Sequence, residues 1–322
     1  MKVRVNYHGR CFDGLSSASL FARFYSACVN PEATFEYAGL VHRPGKVFPD
    51  DAFDADVNAI VDFRYATDPR LHWWFDHHVS AFDSPEAEKH FRADRSGRKV
   101  FDPKARSCTK LLAESTREQH GFDDARYAEL VYWADIIDGA QFPSPQMAVA
   151  LEEPALRLMT LIEGSSDRAL EQRLLRDLTT RSLGEIAADP YVTAPLAPLL
   201  ETHQRSIELI TERARESGGV VTFDVADVGR DGFNKFIPYA LFPEGQYVVA
   251  VSHSKARSKV SVGSNPWSPV PRRHNLAQLC ERYGGGGHPV VAAISMPPGE
   301  LERARTAARE IAEILRQPGT ET

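Results

Sequence analysis

The N-terminal third of the chain alternates between apolar runs and short polar segments. Residues Val3–Tyr7 are β-branched and alternating, which predicts a strand, and the segment LSSASLFARFYSACV after HGRCFDG predicts a helix. The apolar runs Val57–Phe63 and Leu71–Phe75 predict two further buried strands, which end at Asp62 and Asp76. Strand–loop–helix order is typical of βαβ units, so we predict a parallel sheet in an N-terminal α/β domain.

The rest of the chain predicts a helical middle and a second α/β region. Residues 83–106 are polar and irregular, which is typical of an exposed loop. From Cys108 to about Glu216 the pattern is helical, and residues 183–216 predict one long helix. A new alternation of strands and helices begins at Val220–Val225. We therefore predict an N-terminal domain over residues 1–182, a helical linker over 183–218 and a smaller C-terminal α/β domain over 219–322.

Length and composition indicate a soluble two-domain protein of the cytoplasm. The chain has 322 residues, more than one hydrophobic core usually serves, and 43% of them are hydrophobic. No apolar run reaches the roughly 18 residues that a membrane span needs, and the first residues lack the apolar core of a secretory signal. The four cysteines are far apart and form no CxxC pair, which favours a reducing compartment over a disulfide framework.

Charge is distributed unevenly along the chain. The formal net charge is −6, yet residues 219–322 hold 12 basic and 10 acidic residues, so the excess of acid lies in the N-terminal two thirds. Binding to long duplex nucleic acid is driven by neutralisation of phosphates, which this acidic part disfavours. An acidic region suits a carboxylate-rich metal site and does not exclude a small phosphorylated substrate.

Oxygen and imidazole groups stand at the ends of several predicted elements, and the WWFDHHVSAF stretch is the most unusual of these places. A mixture of carboxylate and imidazole ligands indicates Mn²⁺, Mg²⁺ or Fe²⁺ and not the zinc of a thiolate site. Two such metals can activate a water for displacement at phosphorus. Taken singly, each residue also fits a surface histidine, a turn former or a helix cap. The candidates are His8 with Asp13, Asp62, Asp76–His77–His78, and Asp135 or Asp138.

Five segments in this order resemble the motifs of the DHH phosphoesterase superfamily. They are YHGRCFDGLSSA, IVDFRY, FDHH, YWADIIDG and, near the C-terminus, GGGGHPVVAA, which is similar to the glycine-rich motif of the DHH-associated substrate domain. The resemblance covers nearly the whole chain. It implies a parallel-sheet metal-binding domain, a helical connector and a smaller substrate-binding domain, as in RecJ-like exonucleases and oligoribonucleases.

The resemblance also implies roles for individual residues. Asp62 would bridge two divalent ions, Mn²⁺ first and Mg²⁺ or Fe²⁺ as alternatives, and Asp76 would orient an imidazole. His78 would face the scissile phosphate, while the aromatic residues before Asp76 would be plain core. The implied metal ligands are His8, Asp13, Asp62, His77 and Asp135, with Asp138 as the alternative to Asp135.

The first motif departs from the commonest family pattern. Many members have two Asp separated by one residue, and here the position two before Asp13 is Cys11. A thiol is a poor ligand for a hard ion, so one metal position is expected to be weaker or to use water. In the fourth motif Asp135 and Asp138 are three residues apart and share a helix face. The Ala-Asp-Ile-Ile sequence resembles the RecJ-like form and favours Asp135.

The C-terminal region carries a candidate anion-binding surface. No acidic residue occurs between Glu244 and Glu281, whereas several basic residues do. Glycines allow close backbone approach and present N–H groups to oxyanions, although a basic edge strand and a flexible loop are the plain alternatives. A substrate site between the two domains, with residues 183–218 as a hinge, is expected. The candidate substrate-binding residues are Gly285, Gly286, Gly287, His288, Ser261 and Arg257.

The first functional hypothesis is therefore a metal-dependent phosphodiesterase that acts on short single-stranded oligonucleotides or cyclic dinucleotides. A phosphatase for 3′-phosphoadenosine-type nucleotides and a non-catalytic nucleotide-binding regulator are the alternatives, and a pyrophosphatase ranks below them. Cys11 is the main argument for the regulator, whereas the complete set of other ligands opposes it. We expect no membrane partner and no long duplex partner, and a homodimer remains open.

Overall fold

The computed structural model describes residues 1–41, 47–229 and 232–317. The N-terminal part contains β1 (Lys2–His8), α1 (Phe12–Cys28), β2 (Thr34–Leu40), β3 (Val57–Val61), β4 (Leu71–Asp76), α2 (Pro85–Ala93), β5 (Lys99–Phe101), α3 (Cys108–His120) and α4 (Ala128–Asp138). The middle contains α5 (Pro145–Ala150), α6 (Pro154–Gly164), α7 (Arg168–Leu178), α8 (Leu183–Ala187) and α9 (Pro190–Arg213). The C-terminal part contains β6 (Arg215–Ser217), β7 (Val220–Asp224), α10 (Ile237–Leu241), β8 (Tyr247–His253), β9 (Ser258–Ser264), α11 (Leu276–Glu281), β10 (Gly286–His288), β11 (Val291–Met296) and α12 (Leu301–Arg316).

The chain forms two compact units. The first comprises Met1–Phe142 and Leu151–Leu199, and the second comprises Pro143–Ala150 and the residues from Leu200 onward. The boundary at Leu199 falls within helix α9. None of the described helices is long and apolar enough to cross a membrane.

The first unit is built on a five-stranded parallel sheet in the order β2-β1-β3-β4-β5. The parallel sheet of an α/β domain that the sequence predicts is thus confirmed. Chain connectivity changes direction between β1 and β3, and open α/β sheets bind ligands at the carboxyl ends of the strands beside such a point.

Two adjacent tryptophans of β4 are buried on opposite faces of this sheet. Trp73 packs edge-on against Phe21 and Phe24 of α1, whereas Trp74 packs against Tyr65 and Phe91. Successive side chains of a strand point to opposite faces, so this alternation follows from the strand itself. Trp73 and Trp74 are at most 3% exposed, which confirms their assignment to the core. The strand is thereby anchored on both faces up to the residue where the polar triplet begins.

Residues 83–106, predicted as a loop, contain helix α2 and strand β5. Ser84 caps α2 by accepting a hydrogen bond from the Ala87 N–H at 3.2 Å, and Pro85 occupies the first turn. These are ordinary helix-start signals, which the polar composition of the segment obscured. Strand β5 has only three residues, and it forms because the edge of β4 offers it backbone partners.

Two further predictions differ from the structure. Strand β2, Thr34–Leu40, was absent from the predicted elements, although it pairs along its whole length with β1. The single helix expected over residues 183–216 is two helices, α8 and α9, followed by strand β6. Helix α9 starts at Pro190, and proline has no N–H to continue a preceding helix.

The second unit is built on a six-stranded mixed sheet in the order β10-β11-β9-β8-β7-β6. Strands β7 and β8 are parallel, and the other neighbouring pairs are antiparallel. Helices α11 and α12 cover one face, where Val260, Val262 and Ile294 are buried against Ile311. The α/β pattern predicted from residue 220 onward is therefore confirmed. The predicted domain boundaries at residues 182 and 218, with a linker between them, stay predictions.

Candidate functional site

The carboxyl ends of β1, β3 and β4 bring the candidate residues of the first unit to one sheet edge. The register pairs Tyr7 with Val61 and Val61 with Phe75, so the residues that follow these three positions are neighbours. Those residues are His8, Asp62 and Asp76. Their proximity therefore follows from the parallel pairing of three strands that are separated along the chain.

Asp62 lies at the centre of this edge. Its backbone is left-handed, with φ of 56°, a conformation in which Asp is tolerated more readily than most residues. The Asp62 N–H donates to the Phe75 carbonyl at 2.9 Å, which fixes the turn at the end of β3. Asp62 is 1% exposed, and neither of its carboxylate oxygens completes a hydrogen bond with any described residue. A buried carboxylate is costly unless positive charge lies beside it, so Asp62 depends on the imidazoles around it or on a cation in their place.

The two oxygens of Asp62 face different imidazoles. Oδ2 lies 3.4 Å from His8 Nδ1, and Oδ1 lies 3.5 Å from His77 Nε2. His78 Nδ1 is 3.8 Å from Oδ1. A carboxylate with its oxygens directed to two groups of ligands has the arrangement of a bridging ligand between two cations.

His77 presents one defined nitrogen to the cluster. Its Nδ1 donates to the carbonyl of Ala105 at 3.0 Å, since a carbonyl can only accept. Its Nε2 has no hydrogen-bond partner among the described residues and lies 3.3 Å from Asp138 Oδ2 and 3.8 Å from Asp13 Oδ2. A ring held through one nitrogen with the other directed at carboxylates is typical of a metal ligand.

Asp76 orients His78. The Asp76 Oδ1 atom accepts from His78 Nδ1 at 2.7 Å and from the His77 N–H at 2.8 Å, and Asp76 is completely buried. The hydrogen bond that His78 donates to Asp76, together with the negative charges of Asp62 and Asp76, raises the pKa of His78 above its ordinary value. His78 is therefore held by Asp76 with a proton on Nδ1, and it also lies beside Asp62.

Asp13 is held by the start of another helix. Its carboxylate accepts from the N–H groups of Cys108 at 2.6 Å and Thr109 at 2.9 Å, the first residues of α3. Helix N-termini stabilise negative charge in this way. Gly14 is required beside it, because a Cβ there would lie 2.1 Å from the His8 carbonyl oxygen. The sequence contains no pattern that links Asp13 to residues 108 and 109, which are some 95 positions away.

Asp135 and Asp138 lie in different surroundings although they share helix α4. Asp138 Oδ2 approaches His77 Nε2 to 3.3 Å, as above. Asp135 Oδ2 instead pairs with Lys110 Nζ at 3.1 Å. The geometry thus favours Asp138, the alternative from the sequence, over Asp135. Helix α4 ends at Asp138, and its last turn rather than the preceding one reaches the sheet edge.

Three overlapping groups of ligand atoms could each hold a cation, with all atoms of a group within 4.8 Å of one another: His8–Cys11–Asp62, Asp62–His77–His78 and Asp13–His77–Asp138. An octahedral ion with ligands at about 2.1 Å places neighbouring ligand atoms about 3 Å apart and opposite ones about 4 Å apart. His77 Nε2 lies 3.3–3.8 Å from carboxylate oxygens of Asp138, Asp62 and Asp13, which falls between these two values. The residues therefore fit a divalent metal, and the inclusion of Cys11 was not expected from the sequence.

The cluster concentrates negative charge. Burial and the nearby charge of Asp62 raise the pKa of Asp138 to about 6 and also raise the pKa of Asp13. Burial opposes ionisation of Asp62 as well, but the imidazoles of His77 and His8 outweigh it and lower its pKa to about 2. The pKa of His77 rises to about 10, because the carboxylates of Asp62 and Asp13 outweigh its burial. Three carboxylates around one imidazole form an electrostatic environment that a cation would stabilise.

The substrate candidates of the second unit lie along one sheet surface but do not converge. Ser261 pairs with Ala293, which pairs with Gly286, so Ser261 and Gly286 are in one row. His288 is exposed and is two residues farther along β10. Arg257 stands before the first residue of β9, at the end opposite to His288, roughly 20 Å along the strand at about 3.3 Å per residue. Its guanidinium donates to Ser295 Oγ at 3.4 Å.

The glycine run has structural reasons in addition to any binding role. A Cβ on Gly285 would lie 2.4 Å from the Ala293 carbonyl oxygen, and one on Gly287 would lie 2.6 Å from Ala292 Cα. Gly287 also has φ of 148°. Only at Gly286, among Gly285 to Gly287, is the space open within 4 Å. Close pairing of β10 with β11 thus explains Gly285 and Gly287, and Gly286 remains the glycine without a packing explanation.

Solved structures of other proteins share the fold of this chain. No family model and no curated protein matches the sequence. Solved structures of DHH-domain proteins match it, and the chain has their fold. One is a pGpG-specific phosphodiesterase, PggH from Vibrio cholerae, at 20% identity and TM-score 0.70, covering 98% of this chain and 100% of that one. Another is the DHH domain of PF0399, a member of a family of ribosomal proteins, at 13% identity and TM-score 0.60, covering 98% and 87%.

RecJ from Thermus thermophilus in complex with Mn²⁺ is also similar, at 15% identity and TM-score 0.53. The match covers all of this chain and 53% of RecJ, so this chain spans about half of that protein's length. The expected resemblance to DHH-domain proteins, drawn from five short motifs, is confirmed at the level of the fold.

Proposed function

We propose that this protein is a divalent-metal-dependent phosphodiesterase that hydrolyses short oligonucleotides or dinucleotides, cyclic or linear. The observation that carries the proposal is the buried Asp62 carboxylate, whose two oxygens complete no hydrogen bond among the described residues and face His8 on one side and His77 on the other. Similarity over the full length of a pGpG-specific phosphodiesterase supports a dinucleotide-sized substrate.

In this proposal the cluster would hold two divalent ions, and Mn²⁺ would support hydrolysis. Asp13, His77 and Asp138 would hold one ion, and His8 and Asp62 would contribute to the other. The metals supply an activated water and neutralise charge on the phosphate. Asp135 would not be a ligand, because Lys110 already pairs with it.

His78 acts from beside the metals. Its Nδ1 is engaged by Asp76, which keeps the ring oriented and favours the protonated form. The side chain is about one third exposed, so it can meet a bound phosphate. A protonated imidazole in that position can neutralise developing charge or donate a proton to the leaving oxygen. Asp76 contributes through its hold on His78.

The second unit is proposed to bind the nucleotide through Gly286, His288 and Ser261. These residues share one surface of the mixed sheet, where backbone N–H groups and an imidazole can contact phosphate or base. Arg257 would contact a more distant part of a substrate longer than one nucleotide. The four cysteines are all free, which supports the proposed location in the reducing cytoplasm.

A panel of substrates with metal-stripped protein tests the proposal. The panel should contain pGpG, cyclic di-GMP, cyclic di-AMP, short RNA and DNA, 3′-phosphoadenosine phosphate and pyrophosphate, each with and without Mn²⁺. We expect Mn²⁺-dependent hydrolysis of at least one phosphodiester and none with excess chelator. Hydrolysis of the 3′-phosphate alone would establish the phosphatase instead. Tight nucleotide binding without turnover, with metal bound, would establish the regulator.

A further inference from the structure

The ligand groups on the two sides of Asp62 differ in their chemistry. On one side Asp13, His77 and Asp138 offer two carboxylates and one imidazole. On the other side His8 and Cys11 offer an imidazole and a thiol, with Asp62 as the carboxylate. Hard cations such as Mn²⁺ and Mg²⁺ prefer oxygen ligands, whereas thiolate favours Zn²⁺, Co²⁺ and related softer ions.

Cys11 is positioned for this side by the turn after β1. Arg10 adopts a left-handed backbone with φ of 58°, and Cys11 then has extended φ and ψ of −124° and 133° as the residue before α1. This turn brings Sγ within 4.8 Å of an imidazole nitrogen of His8 and a carboxylate oxygen of Asp62. Asp62, 1% exposed, has no hydrogen bond to its Oδ2 atom on this side among the described residues.

A second cysteine close by shows what a purely structural thiol looks like. The Cys108 Sγ atom donates to the Phe75 carbonyl at 3.2 Å and accepts from the Asp62 N–H at 3.2 Å. Both of its hydrogen-bonding capacities are used by the backbone, and it belongs to none of the three ligand groups. Cys11 differs because its Sγ atom also lies among candidate ligand atoms of His8 and Asp62.

We propose that Cys11 binds metal as a thiolate together with His8 and Asp62, which makes the centre asymmetric. One position, with Cys11, selects Zn²⁺, Co²⁺ or Fe²⁺, and the other, with Asp13, His77 and Asp138, selects Mn²⁺ or Mg²⁺. This inference rests on the metal centre of the proposed function and adds which metal each side takes. Binding replaces the S–H bond with a sulfur–metal bond, and the thiol proton passes to solvent.

Absorption spectroscopy with Co²⁺ tests the inference without any measurement of turnover. Metal-free protein titrated with Co²⁺ should gain a sulfur-to-cobalt charge-transfer band in the near ultraviolet. The Cys11→Ser variant should lose this band, and Cys28→Ser should keep it. Cys28 is the matched control because it is an exposed cysteine at the other end of the same helix α1. A wild-type protein that binds Co²⁺ without the band, or a band that persists in Cys11→Ser, would overturn the inference.

A second variant covers the case in which Cys11→Ser does not fold. Cys11→Asp replaces the thiol with an oxygen ligand, so Co²⁺ should give no charge-transfer band while Mn²⁺ still binds. Calorimetric titration should show that the preference for Co²⁺ over Mn²⁺, given by the ratio of their dissociation constants, falls by about tenfold or more when the thiol is replaced by a carboxylate. An unchanged ratio would contradict the role of Cys11. Failure of the wild-type protein to bind any divalent ion would contradict the proposed function itself, so the two failures are distinguishable.

Discussion

The sheet edge of the first unit and the glycine-containing surface of the second unit are both candidate binding sites, but they differ in construction. At the sheet edge, side chains that follow three strands and stand on two helices form three overlapping groups around the buried Asp62 and Asp13, with the ligand atoms of each group within 4.8 Å of one another. Neither carboxylate oxygen of Asp62 completes a hydrogen bond among the described residues. On the second surface, His288 is exposed and the candidates spread along a strand. Buried unpaired charge requires a specific ligand, whereas exposed polar residues are stable without one. The buried Asp62 carboxylate therefore indicates a bound ligand at the first surface, whereas the described residues of the second surface are stable without one.

The substitution with the largest expected effect is Asp62→Asn, which tests the convergent site directly. Asn fits the same volume and tolerates the left-handed backbone, so the fold should be retained in circular dichroism spectra. Loss of the central carboxylate should lower kcat/KM by about 10³-fold, since it removes charge where the metals would bind. Activity within about tenfold of the wild type would rule out Asp62 as the bridging group.

The pair Asp138→Asn and Asp135→Asn tests which carboxylate of α4 belongs to the centre. We expect Asp138→Asn to weaken Mn²⁺ binding by roughly 10- to 100-fold in calorimetric titration, a range typical of altered metal sites. Asp135→Asn, three residues away on the same helix, should leave the affinity nearly unchanged, because Asp135 pairs with Lys110. The reverse result would restore the assignment first favoured by the sequence.

The pair Gly287→Ala and Gly286→Ala separates packing from binding in the glycine run. Gly287→Ala should lower the free energy of unfolding by about 1–3 kcal/mol, because its Cβ would meet the Ala292 backbone at 2.6 Å. Gly286→Ala should change stability by less than about 0.5 kcal/mol, because the space there is open. Denaturant titration measures both. Equal losses in the free energy of unfolding for the two variants would contradict the assignment of Gly287 to packing and of Gly286 to open space.

His288→Ala has the smallest expected effect and asks whether the second surface binds substrate at all. Loss of one exposed contact of about 1 kcal/mol should raise KM roughly fivefold and leave kcat unchanged. His274→Ala, another histidine of the same unit, is the control and should change neither constant. If the kinetics of His288→Ala equal those of the control, His288 is not a substrate contact.

The sequence alone was sufficient for elements whose pattern is local. The strand–loop–helix over β1 and α1 and the tryptophan-rich strand β4 follow from alternation and apolar runs that need no distant partner. Strands β2 and β5 could not be predicted in the same way, because each exists through pairing with a neighbouring strand. Helix α2, in contrast, begins with the helix-start signals Ser84 and Pro85. The prediction of a loop over residues 83–106 was therefore wrong although the local sequence contained the evidence for a helix.

For the candidate site, the types of candidate ligand could be predicted from the sequence, whereas their grouping depends on the tertiary structure. Asp62, His77 and Asp13 could be proposed because each stands at the end or start of an element in a familiar order. The proposal of Asp138 instead of Asp135 depends on which turn of α4 reaches the sheet edge, because Asp138 approaches His77 and Asp135 pairs with Lys110. Cys11 lies near His8 and Asp62 because of the left-handed turn at Arg10, which the sequence pattern did not predict. Ligand identity is a property of single residues, but a distance between ligands is set by the packing of elements far apart in the chain, which no local pattern contains.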